Sequence, residues 1–482
     1  MRVQQVKYNL AGGFEETQLK QIHQMALRIL DEVGIEIHSR EITEKELLGR
    51  ISSYEGVIIR GGRICFAPFL VERYLNDFQR QIKAAPSAPK HDVTIAGTCH
   101  TFNILDPETG HLRLHDTSDL IRATQLMDSF YEENVRGGCP GIPSDVPASL
   151  QYLMQYKICC EHSRSSPAVP ITSVSSAEYI YEMKQVMGYA SPDSYGVSVH
   201  PVSPLRLEGV EFEIALHFFK KFGKKLSIGS CPMPIMGVSA PIFFPAALAQ
   251  AIAEGLAGFV FFKLLTDGGN VSFGFNFYAF DMKYCNFTYG GPEDVLISFV
   301  RDQMCQWYGL SSSLGAKSLL TMSHQPDAQA AAEKAAKTSI AVLAGASQIV
   351  DAGSLSLDET FSPEQLVIDM EIVNWSKRVA QGVQFDDEYD YVQIIKEAIG
   401  QGGDFLSHPT TLENYRETYW MPSLFEHLMK NQWLEKGGKK LREKAREIVK
   451  KKMDAPHFVL DSGRQKALDG IYKKAAKEFG SL

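Results

Sequence analysis

The chain has 482 residues, of which 44% are hydrophobic and 22% charged, and its formal net charge is -8. This mildly acidic balance argues against a nucleic-acid binder, which needs concentrated basic surface to displace counterions, and leaves small molecules or another protein as partners. The eight cysteines include no C-x-x-C pair, and Cys159 and Cys160 are adjacent, so neither a zinc cluster nor a disulfide framework is indicated and a reducing cytoplasm is the expected compartment.

The N-terminal stretch "MRVQQVKYNLAGGFEE" lacks the apolar core of a signal peptide, and the most apolar run, "GLAGFVFFKLL", is short and contains Lys263, so no membrane association is expected. Leu19, Ile22, Met25, Ala26, Ile29 and Leu30 recur at helical spacing before Gly34. Further on, "GVIIRGGRICFAP" predicts two short strands around a Gly-Gly turn, and "LDPETGHLRL" predicts a hairpin. Residues 1–130 are therefore expected to form a mixed α/β extension.

Between residues 131 and 410 short apolar runs alternate with helical stretches. The candidate strands are "NVRGGC", "AVPITS", "YGVSVH", "KLSIGS", "NVSFGFN", "KSLLTMS" and "SQIVDAG", with "DFLSH" as an eighth. Helix starts are marked by Gly291-Pro292-Glu293-Asp294, by the capping box Ser362-Pro363-Glu364-Gln365, and by Asp327, which can cap the alanine-rich helix ended by Gly345. Strand–helix units of this length imply parallel pairing, and about eight of them imply a (β/α)8 TIM barrel. An open doubly wound sheet is the alternative, but no G-x-G-x-x-G follows any of these strands. Residues 411–482 are expected as a C-terminal helical extension. Its run "KGGKKLREKAREIVKKKMD" reads as a solvated helix face, with docking to an acidic partner as the other possibility.

In a barrel the chemistry sits at the carboxyl ends of the strands. Period-two alternation in "NVSFGFNFYAFDM" sends Phe273, Phe275 and Phe277 outward against helices, and Ser272, Gly274, Asn276 and Tyr278 inward. Tyr278, Phe280, Asp281 and Tyr284 are then the candidate pocket wall. Other strand ends supply His200 with Arg206, Cys231 with Met233 and Met236, His324, and Asp351. Neither His200 nor His324 has a ligand partner at H-x-x-x-H or H-x-H spacing, and no G-x-S-x-G elbow occurs, so neither a metal centre nor a serine hydrolase is written here. A Schiff-base lyase lacks a lysine near the carboxyl end of a candidate strand.

The run "HQPDAQAAAEKAAKTSIAVLAGASQIVDAGSLSLDETFSPEQLVIDMEI" resembles the trimethylamine methyltransferase family, as do "CPMPIMGVSAP", "DMKYCNFTYGGPED" and "DFLSHPTTLENYRETYWMPSLF". The likeness covers nearly the whole chain, with the blocks in the family's order. The resemblance implies a TIM barrel that demethylates an amine and hands the methyl group to the Co(I) centre of a separate corrinoid protein. No cofactor or metal is then expected on this chain itself. Founding members carry pyrrolysine, and this chain shows only the twenty standard residues. That departure resembles the branch that includes glycine betaine:corrinoid methyltransferase, and it favours quaternary amines as donors. Recognition of a trimethylammonium head calls for aromatic faces and a carboxylate, for which Tyr278, Phe280, Tyr284 and Asp281 are the candidates, beside Asn276 and Asp351. A betaine carboxylate calls for a cation or donor at the other end, supplied by His200, Arg206 or His324, with Lys283 a looser choice. Asp327 and Gln329 lie in the most family-like block, although Asp327 serves equally as a helix cap. The partners implied are a corrinoid protein, a small quaternary amine and further copies of the chain. A non-catalytic osmolyte binder is the competing class.

Overall fold

Short apolar strands alternate with longer helices in a computed structural model of the chain, which describes residues 13–84, 93–190, 194–310, 317–383, 389–400 and 402–480. Two three-stranded sheets are parallel throughout. In one, Ser227–Ser230 lies between Val271–Phe273 and Gly196–Val199, with Ile228 opposite both Val271 and Val197. In the other, Thr94–Gly97 lies between Gln348–Ala352 and Val135–Arg136, with Ile95 opposite Ile349 and Val135. The central strand of this second sheet comes from the segment expected to be only an N-terminal preface. Its run "VTIAG" is too short to show a periodic signal, and its partners are brought to it by tertiary packing.

The two parallel sheets do not close into a barrel among the described residues. Of the eight candidate strands, "AVPITS" is extended coil, because Pro167 and Pro170 remove the amide donors that a central strand would need. "KSLLTMS" makes only isolated bridges, Ser318 to Val350 in parallel and Thr321 to Leu357. "DFLSH" is a bend held by Asp404, whose Oδ1 accepts the Leu406 amide at 2.8 Å. Both predicted hairpins form, Val57–Arg60 with Arg63–Phe66 and Asn103–Leu105 with Leu112–Leu114.

The helix starts follow the caps. Asp327 accepts the Ala330 amide at 3.0 Å, and Pro292 opens the helix Pro292–Tyr308 behind Gly291. Ser362 accepts the Gln365 amide at 3.2 Å, but the Gln365 side chain turns to Asp369 instead of closing the predicted capping box. The run "GLAGFVFFKLL" belongs to a 22-residue helix, Phe244–Leu265, which is long and apolar enough to cross a bilayer but is buried inside the fold from Ala247 to Leu265. The N-terminal helix Glu16–Arg28 packs on it, and Phe273, Phe275 and Phe277 pack into the same core. Gly255 and Gly258 allow this contact. A Cβ at Gly255 would stand 2.3 Å from the Gly274 carbonyl oxygen, so a larger residue would push the helix off the sheet. In the charged C-terminal region Arg442 and Arg446 grip the buried Glu364, so part of the run predicted to face solvent serves as an anchor.

Candidate functional site

The alternation that buries Phe273, Phe275 and Phe277 turns Asn276 and Tyr278 the other way, into a cavity of about 290 Å³. Four further elements and Tyr289 complete its wall. Helix Pro292–Tyr308 contributes Asp294, Ser298 and Arg301, whose spacing places them on one face. The segment 317–320 contributes Lys317 and Ser318, strand Gln348–Ala352 contributes Asp351, and the alanine-rich helix Ala328–Leu343 contributes Lys337. Tyr289 follows the Ala279–Asp281/Asn286–Thr288 hairpin and stands against Tyr278, the ring centroids 5.3 Å apart and tilted by 48°.

Most of the polar groups bind one another. Arg301 donates to Asn276 Oδ1, and Asn276 Nδ2 donates to the Tyr278 oxygen. Lys337 Nζ donates to Asp294 Oδ2 at 2.6 Å and lies 5.6 Å from the centroid of Tyr289. Burial lifts the Tyr278 hydroxyl to about 12 and that of Tyr289 higher still, so both are neutral phenols with intact aromatic faces. Two groups are less well compensated. Burial pushes the Asp351 carboxyl up, opposed chiefly by the Ser318 hydroxyl, and burial pushes the Lys317 ammonium down to about 8, opposed by Asp302. The described lining carries no histidine or cysteine. It suits binding and orientation: aromatic faces and a carboxylate for a cation, an ammonium and a guanidinium for an anion.

Of the residues proposed from sequence, the structure brings Asn276, Tyr278 and Asp351 to this cavity. It places the others elsewhere. Phe280 pairs with Phe287 in the hairpin, and Asp281 caps the hairpin turn by accepting the Lys283 and Tyr284 amides at 2.7 and 3.0 Å. Tyr284 is 71% exposed beneath Lys283. His200 is held by Glu211 at 2.7 Å, Arg206 by Glu208 at 2.9 Å, and His324 is exposed and bonded to Ser356 at 2.7 Å. Asp327 caps its helix, and the exposed Gln329 donates to Glu333 at 2.8 Å. These eight side chains do not line the cavity because caps, ion pairs, side-chain hydrogen bonds, strand pairing and a cation–ring contact hold them locally.

Sequence reasoning passed over Tyr289, Arg301, Lys317 and Lys337. Tyr289 and Asp294 sit inside the family-like block "DMKYCNFTYGGPED", which was a usable signal. Lys337 was hidden in "AQAAAEKAAKTSI", where a lysine ordinarily faces water. Two other cavities are occupied by their own charges. In a groove of about 250 Å³ Arg113 is bound by Asp106 and Asp119, and in one of about 380 Å³ Tyr131 lies between Arg136 and Arg164, each 4.2 Å from its ring. Among the described residues no group of three or more His, Cys, Asp and Glu side chains is arranged to hold a metal ion.

A sequence profile described as trimethylamine methyltransferase (MTTB) matches residues 3–480. The chain belongs to the trimethylamine methyltransferase family. It is 24% identical to the trimethylamine methyltransferase MttB of Desulfitobacterium hafniense (strain DSM 10664 / DCB-2) over 450 residues, 90% of this chain and 88% of the relative. With the trimethylamine methyltransferase MttB of Methanosarcina barkeri it shares 33% identity over 288 residues, 58% of this chain and 56% of that one. It is also 25% identical over 98% of both chains to the glycine betaine methyltransferase of Desulfitobacterium hafniense (strain Y51). The enzyme class that follows is methyltransferase.

Proposed function

We propose that this family member demethylates a quaternary amine of the betaine type, glycine betaine or a near relative, and that the methyl group passes to Co(I) on a separate corrinoid protein. The observation that carries the reading is the cavity itself: two neutral tyrosine rings in contact, sharing one polar chamber with the Asp351 carboxylate. The full-length likeness to a glycine betaine methyltransferase supports it. A quaternary nitrogen has no lone pair and carries a full charge. As the methyl group is transferred, the C–N bond breaks, its electron pair stays on nitrogen, and a neutral tertiary amine leaves without needing a proton. The chain's own residues then have to bind, orient and keep water away. Each tyrosine face contributes about 0.5–2 kcal/mol toward a cation, and a cation in the cavity favours the charged form of Asp351.

The (β/α)8 barrel belongs to the same reading. The gap between Val271–Phe273 and Gln348–Ala352 is where Ser318 already bridges to Val350, and the proline-bearing segment 168–173 comes between Val135–Arg136 and Gly196–Val199 in the chain. With these two segments as staves and Thr94–Gly97 as the first, the parallel sheets would close with the cavity beside their carboxyl ends. The reading also assigns the protein to the cytoplasm, where a reduced corrinoid partner is available.

The test is to incubate the protein with a reduced corrinoid protein and a panel of methylated amines and to follow the cobalt spectrum. Glycine betaine or a related betaine is expected to give methyl-Co(III), and trimethylamine is not. Turnover of trimethylamine at a comparable rate overturns the quaternary-amine assignment. Tight betaine binding with no loss of methyl groups would make the protein an osmolyte binder.

A further inference from the structure

Lys317 is 5% exposed, lines the cavity, and its Nζ meets no hydrogen-bond acceptor among the described residues. Burying an ammonium without an acceptor is unfavourable, and folded proteins ordinarily pair such a charge. The neighbouring groups do not supply the missing bond. Lys337 already holds Asp294, Arg301 donates to Asn276, and Asp302 acts on Lys317 only through space, its Oδ1 likewise without a hydrogen-bond partner. On the adjacent strand Asp351 is the complementary case, a carboxyl whose proton affinity desolvation raises despite the Ser318 hydroxyl and the more distant charges of His100 and Lys337. Val350, the residue before it, donates its amide to the Lys317 carbonyl at 2.8 Å, so the two side chains arise from paired segments of one wall. A bare cation in the cavity would relieve Asp351 alone and a simple carboxylate would relieve Lys317 alone. A zwitterion relieves both.

We infer that Lys317 is the specificity-determining residue for the anionic end of the substrate, its amine receiving the carboxylate of a small zwitterion whose quaternary ammonium lies against Tyr278, Tyr289 and Asp351. This rests on the betaine reading above and assigns its unplaced carboxylate partner. His200, Arg206 and His324, the groups that sequence offered for that role, are held by Glu211, Glu208 and Ser356 outside this cavity. The low proton affinity of the buried amine agrees with the assignment, because an anion bound beside it would draw that affinity back up.

The test is calorimetric titration of the full chain with glycine betaine and with tetramethylammonium, which has the cationic head and no carboxylate. Lys317→Met is expected to weaken betaine binding about 10- to 100-fold, the loss of one charge-assisted hydrogen bond, and to change tetramethylammonium binding less than about twofold. Lys317→Gln, polar and neutral, should behave like Lys317→Met, and Lys317→Arg should recover most of the betaine affinity. Should either neutral variant fail to fold, the other and Lys317→Arg carry the comparison. Betaine affinity that survives both neutral substitutions overturns the assignment of Lys317 alone, as does an equal loss for the two ligands. A wild-type chain that binds neither ligand overturns the betaine reading of the cavity and this inference with it.

Discussion

Lys334 and Lys317 are both removed from solvent, and the difference between their surroundings separates architecture from function. Lys334 is fully buried and donates to Asp369 Oδ2 and to the Ser354 carbonyl, each at 2.8 Å. Asp369 in turn accepts the Gly353 amide at 2.8 Å and Gln365 Nε2 at 2.7 Å. Every bond that this ion pair needs comes from the chain, and it pins helix Ala328–Leu343 to helix Pro363–Gln381. Lys317 has the same chemistry and the same seclusion, but its amine is offered to a cavity. A buried charge completed by the protein is structural, whereas one completed only by something else marks where a ligand belongs.

The largest expected effect tests the structural half of that contrast. Asp369→Ala strands Lys334 without its counter-charge and should cost about 3–5 kcal/mol of stability, read as a lower urea midpoint at unchanged slope. Betaine affinity of the folded fraction should not change. A loss below about 1 kcal/mol would mean that the pair is not the pin described and would erase the distinction between the two lysines.

The strand that feeds the cavity offers a second contrast of similar size. Phe275 is buried against Tyr308, with ring centroids 5.9 Å apart, while the next inward residues are Asn276 and Tyr278. Phe275→Ala should cost about 3–5 kcal/mol through the cavity it leaves in the core. Tyr278→Ala should leave the thermal midpoint nearly unchanged and weaken binding of betaine and of tetramethylammonium alike, since both present the same head to its ring. Calorimetry on the two variants distinguishes the faces, and a reversed pattern would show that the strand presents its faces the other way.

Much of this strand was legible because period-two alternation of large apolar residues survives translation into structure. The helix starts at Ala328 and Pro363 were legible for a similar reason, since a cap is a local interaction between a side chain and an amide three residues on, and the start at Pro292 was marked by proline at the first helical position. Less legible was anything decided by distant neighbours. Thr94–Gly97 finds its partners at Gln348–Ala352 and Val135–Arg136, and nothing in "VTIAG" announces a central strand. Asp281 has the right residue type beside two aromatics, yet its oxygen is committed to a hairpin turn. Lys334 and Lys337 look like solvent-facing residues of an alanine-rich helix and are both buried in ion pairs. The candidate site was therefore readable where a strand carries it, at Asn276, Tyr278 and Asp351, and hidden where helices and the segment at Lys317 close it.

The smallest effect concerns pH and isolates Lys317 from everything around it. Its ammonium is held down to about 8 in the folded chain against 10.5 for an ordinary lysine, so between those values the unfolded chain binds more protons and stability rises with pH. Below about 8 the cost of the buried charge is fully present. Lys317→Met should therefore be as stable as the wild type or more stable by about 1 kcal/mol at neutral pH, and any advantage should fade as pH rises from about 8 through 10.5, above which the wild-type amine is neutral in both states. Betaine binding runs the opposite way: it needs the charged amine, so affinity should be flat below about 8 and fall above it. The groups that act on Lys317 from helix Pro292–Tyr308 are Arg301, Asp302 and Cys305, and Asp351 lies on the adjoining strand; the Cys305 thiol is itself pushed up to about 12, above this window. Tetramethylammonium binding should show no such fall, nor should betaine binding to Lys317→Arg. Parallel pH profiles for the two ligands on the wild-type chain would place the titrating group at the cationic end of the cavity and remove the contrast between Lys317 and Lys334.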